Sequence, residues 1–126
     1  MEQENPKSTS AAPSHCLYWQ QPELVRGPMK ERFELLDTYA DESHLRRHLL
    51  KCRECGQLYF HEFYESIDWV EGNDPQYVLY VPVGTAEEAA RLAIRDEVSL
   101  QLASPALCID FPAGAQEPSV FWRGKA

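Results

Sequence analysis

Four cysteines and four histidines are the side chains of this sequence best able to hold a metal ion, and half of each fall in one run. From His44 to Gly56 it reads His-Leu-Arg-Arg-His-Leu-Leu-Lys-Cys-Arg-Glu-Cys-Gly. Cys52 and Cys55 are separated by two residues and followed by a glycine. That spacing lets two thiolates reach one ion about 2.3 Å from each sulfur. Gly56 permits the turn that such a step requires. A structural zinc site is tetrahedral and takes four protein ligands, so two more must be found.

The run itself does not supply all four. In a continuous helix, residues 44 and 52 lie about 12 Å apart along the axis, and in a strand they lie further apart. The wider candidates are His15, Cys16, His44, His48, His61 and Cys108. Cys16 stands where the polar start of the chain gives way to apolar residues, so a metal there would pin the terminus. His44 follows the polar Asp41, Glu42 and Ser43, where a side chain is free to turn. The expected ligand set is therefore Cys16, His44, Cys52 and Cys55, with Zn2+ as the ion. His48, between Leu45 and Leu49, fits a packing or surface role equally well. Cys108 sits in an apolar stretch and reads as a small buried group. Arg46, Arg47, Lys51 and Arg53 surround the cysteine pair and would favour ionised sulfur, or else form a solvated basic face.

Cys52 to Gly56, with Leu58, Tyr59 and Phe60 behind it, resembles the knuckle of zinc-ribbon proteins over residues 51–60. The resemblance implies a metal-holding turn. It covers those residues alone, because a full ribbon has a second Cys-x-x-Cys and this sequence has none.

The surrounding elements must position these ligands. Residues 1–14 are polar, without aromatics, and read as a disordered tail ahead of a single zinc-stabilised domain at 15–126. Residues 33–39 fit a strand or a helical turn. Residues 57–64 and 76–81 read as neighbouring antiparallel strands, separated by a turn at Gly72, Asn73, Asp74 and Pro75. Ala86 to Arg95 is an amphipathic helix opened by a capping box of Thr85 and Glu88. Leu107, Ile109 and Phe111 alternate with polar or small residues as in a half-buried strand, and Val120 to Trp122 is a last strand. The class is α+β: a mostly antiparallel sheet with one amphipathic helix and a zinc knuckle.

Bulk composition narrows the function. The chain has 126 residues, 44% hydrophobic and 25% charged, which suits one globular domain. A net charge of −8 opposes binding to nucleic acid and to anionic membrane surfaces, and favours a basic protein partner. No secretory leader is visible in residues 1–14, and no apolar run reaches the ~18 residues that span a bilayer. A cytoplasmic location follows, where thiols stay reduced and cysteines serve as ligands or buried groups. From Glu54 to Ala90 there are eight acids and no Lys or Arg, mixed with Tyr59, Tyr64, Trp69, Tyr77 and Tyr80.

The leading expectation is a non-enzymatic, zinc-binding protein-interaction module of the immunity or inhibitor kind, docking a basic partner through an acidic surface. A first alternative is a nucleic-acid-binding knuckle, with Arg46, Arg47, Lys51 and Arg53 on phosphates and Tyr59 or Phe60 stacking on bases. A second is a zinc-dependent hydrolase, with Glu62 or Glu54 as the carboxylate beside the ion. No Walker loop, dinucleotide fingerprint or nucleophile elbow is present.

Overall fold

The computed structural model describes residues 12–66, 70–72 and 74–125. Six strands form one open antiparallel sheet in simple sequence order. They are β1 (Phe33–Glu42), β2 (Leu45–Cys52), β3 (Leu58–Glu65), β4 (Gln76–Val83), β5 (Ala106–Phe111) and β6 (Ser119–Arg123). The helical elements are short: α1 (Leu17–Gln20), a 3-10 turn (Pro22–Val25), α2 (Met29–Arg32), α3 (Ala86–Ala93) and α4 (Glu97–Leu100). The α+β class with an antiparallel sheet is thus observed. Most of the expected tail, residues 1–11, and Asp68, Trp69 and Asn73 lie outside the described residues.

Both faces of the sheet are covered, which explains the composition of its central strands. One face carries Leu49, Phe60, Val81, Ala106 and Cys108, and α3 packs on it through Ala89 and Leu92. The other face carries Leu50, Tyr59, Tyr80 and Leu107, covered by Tyr18 and Val25 from the N-terminal segment. A strand buried on both sides loses the apolar–polar alternation of a half-exposed one. That is why aromatics fall on both sides of Leu58–Glu65, and why periodicity alone does not separate strand from helix there. Each large apolar side chain fully buried on either face contributes about 1.5–3 kcal/mol.

The helix α3 is built as its sequence suggests. The Thr85 hydroxyl accepts from the Glu88 amide at 3.2 Å. The Glu88 carboxylate accepts from the Gly84 amide at 2.8 Å, one residue earlier than the usual capping-box donor. Its far end is held by Arg47, which donates to the carbonyls of Ala93 and Arg95 at 2.9 and 2.8 Å. Arg47 also meets the Glu62 carboxylate through Nε at 2.8 Å and Nη2 at 2.7 Å. A guanidinium at a helix C-terminus opposes the partial negative charge there. The pair is buried, so it fixes how α3 lies on β2 and β3.

The basic residues around the cysteines accordingly separate. Arg47 points to the α3 face. Arg46 points to the other, its guanidinium 5.0 Å above the Phe63 ring. Arg53 donates to the Lys30 carbonyl at 3.0 Å. Tyr59 and Phe60, the expected stacking platforms, are fully buried on opposite faces.

Candidate metal centre

The N-terminal segment crosses the sheet face that bears Tyr59 and brings Cys16 to the end of β2. Pro13 is buried, and its carbonyl accepts from the Cys16 amide at 2.8 Å, turning the chain into α1. Three contacts to the C-terminal strand and tail seat this segment. The Trp122 indole donates to the Tyr18 carbonyl at 2.8 Å, and the Lys125 ammonium donates to the Trp19 carbonyl at 2.7 Å. The Trp19 and Trp122 rings meet edge to face at 4.7 Å.

Cys52 ends β2 opposite Phe33, and the chain reverses over the next residues. The Gly56 amide donates to the Cys52 carbonyl at 2.9 Å, and the Cys52 amide donates to the Gln57 carbonyl at 2.8 Å. Gly56 makes this turn at φ +83°, a left-handed conformation that glycine adopts without a Cβ clash. The Arg53 amide donates to the Arg32 carbonyl at 3.0 Å, tying the turn to α2.

The sulfurs of Cys16, Cys52 and Cys55 all lie within 4.8 Å of one another. Those of Cys16 and Cys52 are 4.0 Å apart. Ligands on a tetrahedral zinc at about 2.3 Å would stand about 3.8 Å from each other, so the cluster is close to the spacing one ion requires. Three cysteines this close can hold a metal ion. Cys16 and Cys52 are each 1% exposed and Cys55 is half-buried, so the site opens toward solvent on the Cys55 side.

The surroundings decide the charge state. Burial pushes the Cys16 thiol up to about 12, although the Tyr59 hydrogen bond opposes this. The Tyr59 hydroxyl donates to the Cys16 sulfur at 3.1 Å, and burial raises its own pKa as well. Left to burial alone, these groups stay protonated at neutral pH. A bound cation reverses that preference by deprotonating the thiols it coordinates. Tyr18 lies within electrostatic reach of Cys16, Cys52 and the Arg32 guanidinium, which supplies a positive charge at the edge of the cluster.

The expected ligand set is thus brought together at three positions and not at the fourth. His44 occupies the two-residue turn between β1 and β2, at the opposite end of β2 from Cys52. Eight residues of strand at about 3.4 Å each keep the two roughly 27 Å apart. His44 is exposed and its Nδ1 lies 3.4 Å from the Ser43 hydroxyl. The polar loop that made it attractive is a tight hairpin turn pointing away from the thiols. No fourth His, Cys, Asp or Glu joins the three sulfurs among the described residues.

The other candidates have separate places. Cys108 is on the α3 face, its thiol 3.7 Å from the Ala106 carbonyl and pushed up to about 11 by burial. His48 and His61 face one another in mid-sheet. His15 is exposed beside Cys16. Glu62 lies on the α3 side, paired with Arg47. Sequence reasoning treats Tyr59 as a strand residue; its contact with Cys16 depends on how the N-terminal segment crosses β3, and no local pattern announces it.

Comparison with known proteins adds nothing to this geometry: no protein-family model, no curated protein and no solved structure matches the chain. No helix among the described residues is long and apolar enough to cross a membrane.

Proposed function

We propose that Cys16, Cys52 and Cys55 bind a structural Zn2+, and that the protein is a non-enzymatic interaction module whose metal locks its N-terminal segment to the sheet. One observation carries this reading: three sulfurs from two distant parts of the chain converge in a mostly buried pocket. Thiolate-only donor sets suit zinc better than magnesium or calcium, which take oxygen ligands. The fourth position, on the half-buried Cys55 side, is left for a ligand from outside the three sulfurs.

A hydrolase reading fits less well. It needs a carboxylate at the ion, and among the described residues none joins the sulfurs. A nucleic-acid reading also fits less well. Arg47 is buried in an ion pair, Arg46 and Arg47 point to opposite faces, and Tyr59 and Phe60 are buried.

The partner class follows from the outer strand. Along β1, Glu34, Asp37, Asp41 and Glu42 are exposed with no Lys or Arg among them, beside exposed Leu35 and Leu36. β1 is an edge, so one side of its backbone is open to pairing. A basic protein with an apolar strip complements that surface, as toxic basic enzymes complement their acidic inhibitors. Native mass spectrometry of untagged protein from its own cells tests both halves together. The expected species carries one zinc and a basic protein. A metal-free, partner-free monomer would refute the reading.

A further inference from the structure

The sheet face that bears the thiols holds a second polar cluster, which the metal centre does not use. His48 on β2 and His61 on β3 stand directly opposite, Nδ1 to Nδ1 at 3.1 Å, with their rings nearly parallel at 22°. The Tyr80 ring lies 5.0 Å from that of His61. His48, His61 and Tyr80 are 8%, 5% and 4% exposed. A groove of about 400 Å³ runs over them, between the sheet and the segment that carries Arg26 and Met29.

Their hydrogen bonding leaves three polar atoms over. The short Nδ1 contact is attractive only if one ring donates and the other accepts. The donating ring then keeps a bare Nε2, and the accepting ring carries an Nε2–H. Neither Nε2 nor the Tyr80 hydroxyl has a hydrogen-bond partner among the described residues. None of the three is a buried atom left without a partner, so each reaches the open groove, where a ligand can bond it in place of water. Burial holds His61 down to about 3 and His48 below its ordinary value, so both are neutral at physiological pH.

The charge of the groove is also unlike that of the chain. The protein has 20 acidic residues, yet no carboxylate is among those lining the groove, and two guanidiniums are. Arg26 pairs loosely with Glu23 at 3.6 Å at the exposed rim, while Arg46 lies over Phe63. Val78 and Ile109 give the groove an apolar end.

We propose that this groove binds a small organic carboxylate with an apolar body. The carboxylate meets Arg46, the imidazole N–H and the Tyr80 hydroxyl, all of which donate. A carboxylate only accepts, so it matches the two donors and the Arg46 guanidinium, while the bare Nε2 is left facing the open groove. The apolar body covers Val78 and Ile109. Two guanidiniums repel a metal cation from the same place. Inorganic phosphate would satisfy the donors and leave the apolar end uncovered.

The test is an NMR titration of the full chain, read at the ring Cε1–H signals of His48 and His61. The probes are benzoate, hexanoate, benzamide and inorganic phosphate. Benzoate or hexanoate is expected to shift both histidine signals saturably, with a Kd of about 1 mM or lower. Benzamide and phosphate are expected to bind at least about tenfold more weakly. Arg46→Gln removes an exposed side chain and leaves the core intact; it is expected to weaken carboxylate binding by about tenfold, the loss of one charge-assisted contact. The proposal is overturned if neither carboxylate gives a saturable shift, if benzamide or phosphate binds as well, or if Arg46→Gln binds unchanged while its melting temperature is retained.

Discussion

On the proposal that the three thiols hold a metal, chelation should unlatch one layer of the protein and spare the other. The sheet has a core on each face, and only one of them includes thiols from the cluster. The α3 face, with Phe60 and Val81 at its centre, contains no member of the cluster. On the opposite face, Cys16 and Cys52 join Tyr18, Val25 and Phe33 in one packed group. The segment from Cys16 to Arg32 contains only four-residue helical turns, too short to persist without tertiary contacts. Its seat therefore rests on the thiol cluster together with buried Tyr18 and Val25, the ring contacts of Tyr18 and Trp19, the carbonyls of Tyr18 and Trp19 that accept from Trp122 and Lys125, and the Arg53 bonds to Lys30 and Arg32.

The size of the effect follows from mass action. An ion present at about a thousand times its Kd stabilises the folded state by about 4 kcal/mol. For a chain of this length each kcal/mol moves the melting temperature by roughly 3–5 °C, so stripping the metal should lower it by about 10–20 °C. Hydrogen exchange mass spectrometry locates the change. Peptides covering residues 13–32 and 52–57 should lose protection in EDTA, while those covering the centres of β3 and β4 keep theirs. Cys16→Ser should reproduce the pattern without chelator. An EDTA-treated sample that melts at its original temperature with unchanged exchange at 13–32 would refute the reasoning, since the cluster would then contribute nothing as a metal site.

Two further outcomes follow from buried charge. Arg47→Met should cost about 3–5 kcal/mol in urea denaturation, because Glu62 is left buried and α3 loses its C-terminal donor, and the double variant Arg47→Met/Glu62→Gln should recover part of that loss; equal losses in the two would count against the ion pair. His61 is held to about 3 in the fold against about 6.5 in the unfolded chain, so the unfolded state binds the extra proton between those values. Stability from this group is complete above about pH 6.5 and is lost as pH falls toward 3, on the order of a few kcal/mol. His61→Gln should flatten the fall in melting temperature between pH 7 and 4.5, and a slope equal to wild type would exclude His61 as its source.

Local chemistry was legible in the sequence where one element carried it whole. Thr85 and Glu88 announced α3, and residues 57–64 and 76–81 announced two neighbouring antiparallel strands. Gly56 marked the turn behind the cysteine pair. Cys16 was found by a positional argument, because a chain that turns apolar at a cysteine has a reason to be anchored there. The misplacement of His44 has a definite cause. Its polar neighbours suggest a free loop, but Leu45–Cys52 is one unbroken strand, and that strand sets its distance from the thiols. The His48–His61 pair was hidden for a related reason. It exists only through the β2–β3 register, and thirteen residues of separation carry no local pattern.

The two polar clusters on this face are joined by the same segment and by one line of rings. The Phe33 ring stacks on Tyr80 at 5.2 Å and meets Tyr59 edge to face at 5.8 Å. Tyr59 donates to the Cys16 sulfur, and Tyr80 borders His61. The segment that Cys16 anchors also supplies Arg26 and Met29 to the groove over the histidines. A sheet face with aromatics alone would need no metal to be covered. Here the covering layer has almost no helix of its own and is held by buried Tyr18 and Val25, so a metal on the three thiols would add a fixed point to that apolar contact. The groove has its second wall only while that layer is seated. A metal on the thiol cluster would therefore do more than raise a melting temperature: it would set whether this face presents a shaped cavity or an open aromatic surface.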